Sequence, residues 1–140
     1  MKGAYYRADV TSQISVLALN TLYWNEQDDL MDEGTTPHDQ LNWFESQLAN
    51  AEEGRKFIPV FHIYPGAKHT KHYKIELKPE YNEKYIRILN KYADNIIIEV
   101  GAHDHYGDFR YHDLDISDVN FAGDYVIAAD AQEATYGKDK

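Results

Sequence analysis

Dense apolar runs alternate along this chain with stretches whose apolar residues recur every three or four positions. That alternation predicts strand, helix, strand, helix, strand. Residues 4–9 (AYYRAD) and 14–20 (ISVLALN) read as two short strands joined by a Ser/Gln turn. The second is almost continuously apolar, as expected of a strand covered on both faces. A polar, acidic loop follows, with Tyr23 and Trp24 near its start. The next helix is expected over residues 37–53, with Thr36 as N-cap, Pro37 in the first helical position and Asp39 at the positive end. Leu41, Phe44, Leu48 and Ala51 share one face of it, and Gly54 stops it. Residues 57–63 form the following strand, in which Pro59 marks an edge position or a bulge.

Residues 64–78 read as a long basic and aromatic loop, and residues 79–92 as a second helix. Its buried stripe is Tyr81, Tyr85, Ile88, Leu89 and Tyr92, with Glu80 and Glu83 in the first turn. A buried strand is expected at residues 95–100, a loop at 101–107, a returning strand at 108–114 and a last short strand at 125–129. The polar end of the chain reads as frayed. No internal repeat or linker divides the sequence, so residues 1–140 are one domain of the α/β class. Three strands that call for cover on two faces have only two long helices to supply it. The reading is therefore an incomplete domain, one part of a larger sandwich.

Composition narrows the classes. The formal charge of −10 argues against a binder of nucleic-acid backbones, which needs a basic face. Cysteine is absent, which excludes disulfides and thiolate metal sites. The sequence shows no apolar run of membrane-spanning length and no signal-type segment after Met1, so no membrane span is expected and the compartment stays open. Twelve tyrosines supply ring area with a polar tip that tolerates partial exposure.

Histidines carry the candidate chemistry. His62 ends the run FIPVFH, while His103 and His105 form an H-x-H pair after NIIIEVGA. Both runs place imidazoles at the carboxyl ends of neighbouring strands, where α/β folds gather their ligand-binding groups. In an extended segment, alternate side chains share a face, so His103 and His105 can converge on one metal centre or two adjacent ones. Asp104 between them is expected to point the other way, as a turn or supporting residue. His69 and His72 lie in the basic loop with Lys68, Lys71 and Lys74, which could receive an anionic substrate. The carboxylates that normally complete a metal site are not apparent.

Five motifs in order give this chain a family resemblance. They are ISVLALNTLYW, DQLNWFESQLANAEEGRK, FHIYPGA, EYNEKYIRILNKYADNI and GAHDHYGDFR. Over residues 3–111 the chain resembles the C-terminal half of the calcineurin-like metallophosphoesterases, and most closely the acid sphingomyelinase-like phosphodiesterases. Residues 112–140 diverge from that pattern. The resemblance implies a four-layer α/β/β/α sandwich of which this chain holds the C-terminal half. It also implies a two-metal centre that neutralises the phosphate oxygens while water attacks phosphorus in line. By position, His62 and His103 would ligate one metal and His105 the other. The family's D-x-H, G-D and G-N-H motifs have no counterpart here. Glycines usual beside the ligands are replaced by Phe61 and Ala102, and the ring of Phe61 is expected to crowd the site.

Two functions follow from the resemblance. One is the C-terminal portion of a metal-dependent phosphodiesterase, inactive alone and completed by the missing N-terminal half or by other protein subunits. The other is a degenerate, non-catalytic relative that binds or assembles within a larger complex. A third reading is a mononuclear histidine-rich metal protein of another fold, with Asp108 as a carboxylate ligand. Zinc is the expected metal where another segment completes the site, and otherwise the chain holds none. Tyr23, Trp24, His69 and His72 are the substrate-side candidates, since loops after strand ends build such rims.

Overall fold

The computed structural model describes residues 3–28, 37–66, 76–105 and 107. Strand β1 (Tyr6–Asp9) pairs antiparallel with β2 (Ile14–Ala18), and β2 pairs parallel with β3 (Lys56–Val60), giving the order β1-β2-β3. Helices α1 (Pro37–Ala49) and α2 (Pro79–Lys91) complete a mixed α/β arrangement. The turn between β1 and β2 closes on Thr11, whose hydroxyl oxygen accepts from the amides of Gln13 and Ile14. The parallel β2–β3 pair then requires a crossover, and α1 provides it.

One face of the sheet is apolar and covered. Leu17 and Leu19 from β2 and its extension, and Phe57 from β3, share a buried cluster with Leu41, Phe44 and Leu48 of α1 and Tyr81, Tyr85, Ile88 and Leu89 of α2. Phe44 stacks on Tyr85 with ring centroids 5.3 Å apart. On the solvent side the two helices are tied by Lys91 to Glu45 at 2.8 Å and Lys84 to Asn42 at 2.6 Å. The opposite sheet face, Ile14, Val16, Ala18, Ile58 and Val60, is only half-buried. Among the described residues β2 is therefore covered on one side, not on both as its apolar run predicts.

The first helix ends at Ala49, four residues earlier than the periodicity predicts. Asn50 accounts for the stop, because its side chain donates back to the Ser46 carbonyl while Ala51 closes a tighter bond to Leu48. Gly54, at φ 76°, then serves the turn that joins Glu52 to Arg55. The second helix starts at Pro79 as predicted and ends one residue early. Its buried face also takes in Asn82 and Ile86. Thr36 and the strands expected at 108–114 and 125–129 lie outside the described residues.

The buried strand expected at residues 95–100 is the larger correction. This segment touches β3 only through parallel bridges at Ile96 with Phe57 and Val100 with Val60. Four residue steps on the outer segment thus span three on β3, which is a bulge. Pro59 explains its place. The Phe57 and Pro59 carbonyls both face the segment, accepting from Ile97 and Val100, but proline has no amide to return a bond. With no neighbour beyond it among the described residues, the segment exposes Ile97 at 52%, Ile98 at 51% and Val100 at 49%.

Candidate metal centre

Beyond β3 the parallel pairing continues to its end. Phe61 donates to the Val100 carbonyl at 3.0 Å, and Ala102 donates to the His62 carbonyl at 3.0 Å. That last bond sets the residue after Ala102 beside His62. His103 Nδ1 and His62 Nε2 are accordingly 3.1 Å apart, with the rings edge to face at 85°. The strand-end convergence of these two imidazoles, expected from their places after β-rich runs, is present.

The H-x-H segment is not extended, so the alternation rule does not describe it. Asp104 donates its amide to the Ala102 carbonyl at 3.1 Å, and His103 between them has φ 81°. Those are the marks of a γ-turn centred on His103, a conformation that strains a side-chain-bearing residue. His105 also has a positive φ, 58°, and is exposed. It lies outside the cluster of ligand-capable atoms found among the described residues.

That cluster contains the carboxylates that sequence reading misses. One ligand-capable atom each from Glu76, His103 and Asp104 lies within 4.8 Å of the other two, and all three residues are half-buried. Glu76 arrives from residues 76–78, which run antiparallel to residues 24–26. Glu26 donates to the Glu76 carbonyl at 2.8 Å, and Lys78 donates to that of Trp24 at 2.7 Å. Its carboxylate Oε2 sits 2.9 Å from His103 Nε2. Asp104 accepts a hydrogen bond from the Tyr64 hydroxyl. The tight turn brings Asp104 into the group, where an extended strand would have sent it away. Imidazole and carboxylate donors at this spacing fit one divalent cation.

The Phe61 ring is partly buried against the core. It alternates with His62 along the chain and packs on the core side, edge to face with Tyr85 at 6.0 Å. Its ring also lies against Gly101, where an added Cβ would come within 2.9 Å of it. The glycine that matters for close packing here is thus Gly101. Behind His62, the buried Thr21 hydroxyl accepts from the Ile63 amide at 2.9 Å and anchors the strand end.

Of the substrate-side candidates, Tyr23 is half-buried against the core. Trp24 is wholly enclosed, 5.9 Å from the Tyr85 ring, and its side chain is closed to an incoming ligand. His69, His72 and Asp108 lie outside the described residues.

No protein-family model matches the chain. It is similar to a sphingomyelinase phosphodiesterase C from Dictyostelium discoideum, 30% identical over 77% of this chain and 24% of that protein. It is also similar to a human cyclic GMP-AMP phosphodiesterase, 28% identical over 74% of this chain and 24% of the relative. An endopolyphosphatase from Cryptococcus neoformans is 28% identical over 81% of this chain and 17% of its own length. The chain therefore spans about a quarter or less of the curated relatives it matches.

Proposed function

We propose, from the premise that this chain is a partial calcineurin-like phosphoesterase related to the sphingomyelinase-like phosphodiesterases, that it supplies the histidine side of a metal-dependent phosphodiester hydrolase. The observation that carries the reading is the pairing of His62 and His103 at the ends of two adjacent parallel segments, their ring nitrogens 3.1 Å apart. The names of the relatives share one chemistry, hydrolysis of phosphoric esters or anhydrides, and differ in the groups attached.

In this reading His62 and His103 hold a divalent cation, with His105 turned toward a second one, and the cation supplies charge neutralisation to phosphate oxygens. The chain's own contribution is positional. The Ala102–His62 backbone bond sets the spacing of the imidazoles, and Thr21 fixes the strand end behind them. Tyr23, and His69 and His72 of the basic loop, are the proposed substrate-side groups. The loop's cations would offset the −10 charge of the chain where an anionic phosphodiester approaches. Zinc is the proposed metal, bound when another segment or subunit completes the ligand set, and the chain alone is proposed to be inactive.

An experiment on the native species tests this. Its mass, metal content and turnover of a chromogenic phosphodiester are measured together, with and without His103→Ala. The expected result is an assembly larger than the 16.3 kDa chain, whose metal and turnover are both lost in the variant. An assembly that keeps its turnover after His103→Ala refutes the histidine role. Turnover by the chain alone refutes the need for completion.

A second reading, that of a non-catalytic relative serving assembly, is favoured by the apolar edge at Ile97, Ile98 and Val100. It predicts an assembly without stoichiometric metal or turnover.

A further inference from the structure

We propose that Glu76 is the positioning residue of the histidine centre. Its carboxylate accepts a hydrogen bond from Nε2 of His103 and so fixes that ring with Nδ1 as the metal-ligating nitrogen. The inference rests on the reading of His62 and His103 as ligands of one divalent cation, and adds to it the residue and the atoms that aim the ring.

The two ring nitrogens of His103 have different neighbours, and they decide between the roles open to Glu76, ligand or support of a ligand. Glu76 Oε2 lies 2.9 Å from Nε2, an ordinary hydrogen-bond distance. An ionised carboxylate can only accept, so the hydrogen between them belongs to Nε2. In the neutral ring Nδ1 then carries the lone pair. It faces Nε2 of His62 at 3.1 Å, and two donors each about 2.1 Å from one ion lie roughly 3 Å apart. The cation therefore belongs between those two nitrogens, and Glu76 stands behind the ring.

Both partners of this bond are held from behind. The Glu76 carbonyl accepts from the Glu26 amide at 2.8 Å, Lys78 donates to Trp24 at 2.7 Å, and Leu77 between them is buried. The carboxylate thus arrives on a paired segment that cannot swing. On the other side, the bond from Asp104 to the Ala102 carbonyl closes the turn at His103, and the Tyr64 hydroxyl donates to the Asp104 side chain. The Glu76 and His103 side chains are only 23% and 28% exposed, so their charge-assisted bond is partly shielded from water. A carboxylate on the outer nitrogen of a ligating imidazole fixes its tautomer and plane and raises its basicity toward the metal.

The test reads the proton directly. Nitrogen NMR of the histidine rings is recorded at about pH 8, where an ordinary imidazole is neutral, on the full chain and on the native assembly loaded with zinc. The His103 signal is assigned by its loss in His103→Ala. In both samples His103 should carry its proton on Nε2. Zinc titration of the assembly should show about 10–100-fold weaker binding in Glu76→Ala, with the number of bound ions unchanged. Glu76→Gln, which keeps a neutral acceptor, should recover part of that loss. Should Glu76→Ala fail to fold, Glu76→Gln and the tautomer of the unaltered chain decide. A proton on Nδ1, or unchanged zinc affinity in the folded Glu76→Ala variant, overturns the assignment and leaves the hydrolase reading standing. Loss of a bound ion in that variant makes Glu76 a ligand and overturns it too. Zinc binding with the expected effects but without phosphodiester turnover removes the hydrolase reading and leaves Glu76 in its role. An assembly that takes up no zinc overturns both.

Discussion

The side-chain amide of Gln40 closes a two-way hydrogen bond with the backbone of Asn20. Its Oε1 accepts from the Asn20 amide at 2.6 Å, and its Nε2 donates to the Asn20 carbonyl at 3.1 Å. Gln40 is fully buried on α1, and Asn20 lies just past β2, where the chain leaves the sheet. A side-chain amide here acts as one more rung of the ladder and ties the helix layer to the strand end that precedes Thr21.

Replacing Gln40 by Leu keeps the volume and removes both partners. An orphaned polar group in a buried site costs about 1–3 kcal/mol, and two are orphaned, so the loss should fall at the upper end of that range or beyond. Urea unfolding of Gln40→Leu should show a lower midpoint with an unchanged slope. An unaltered midpoint would mean that water replaces the amide at no cost.

Tyr85 gives a pH signature. It is fully buried, and burial first, then the nearby Glu99 carboxylate that accepts its hydroxyl, push its ionisation well above the ordinary value of 10.0. The folded chain therefore keeps this proton at pH values where the unfolded chain releases it. Tyr85 contributes stability that is fully present below pH 10 and declines as pH rises further, through the folded value. Stability measured from pH 8 to pH 11.5 should fall more steeply in the parent than in Tyr85→Phe. Near neutrality the same variant should lose about 1–3 kcal/mol, because Glu99 is left without that donor. Parallel curves would remove Tyr85 as the source.

Gly101 and Phe61 should be coupled. A Cβ at Gly101 would sit 2.9 Å from the Phe61 ring and 3.0 Å from Tyr64 Cβ. Gly101→Ala is expected to cost about 1–3 kcal/mol through overpacking. Phe61→Leu should relieve part of that, so the double variant is less destabilised than the sum of the two singles. Strict additivity of the two changes would show that the ring is not what the new methyl meets.

The parts of this fold that can be read from sequence are those set by local chemistry. Pro79 starts its helix, Phe44 and Leu48 face inward at helical spacing, and Pro59 falls where the pairing bulges because it lacks an amide. Kinship with the phosphoesterases was legible from five ordered motifs, none of them decisive alone. What local pattern does not carry is topology. Glu76 meets His103 only because residues 76–78 pair with residues 24–26. No spacing rule joins positions 27 apart. The apolar run at residues 96–100 has the composition of a buried strand, yet its exposure depends on what lies beside it. Asp104 escapes the alternation rule because the chain makes a γ-turn there in place of an extended strand.

That turn supplies a last test. His103 holds φ at 81°, a region that glycine enters freely and that an L side chain enters at a cost of order 1–3 kcal/mol. Its imidazole offsets part of this through His62 and Glu76. Alanine keeps the strain and loses the contacts, whereas glycine loses both. His103→Gly should therefore be more stable than His103→Ala, by about 0.5–1 kcal/mol once the greater freedom of unfolded glycine is subtracted. In most positions that order is reversed, which makes the comparison diagnostic. If alanine proves the more stable replacement, His103 is not strained, and the placement of its ring against Glu76 and Asp104 loses its backbone explanation.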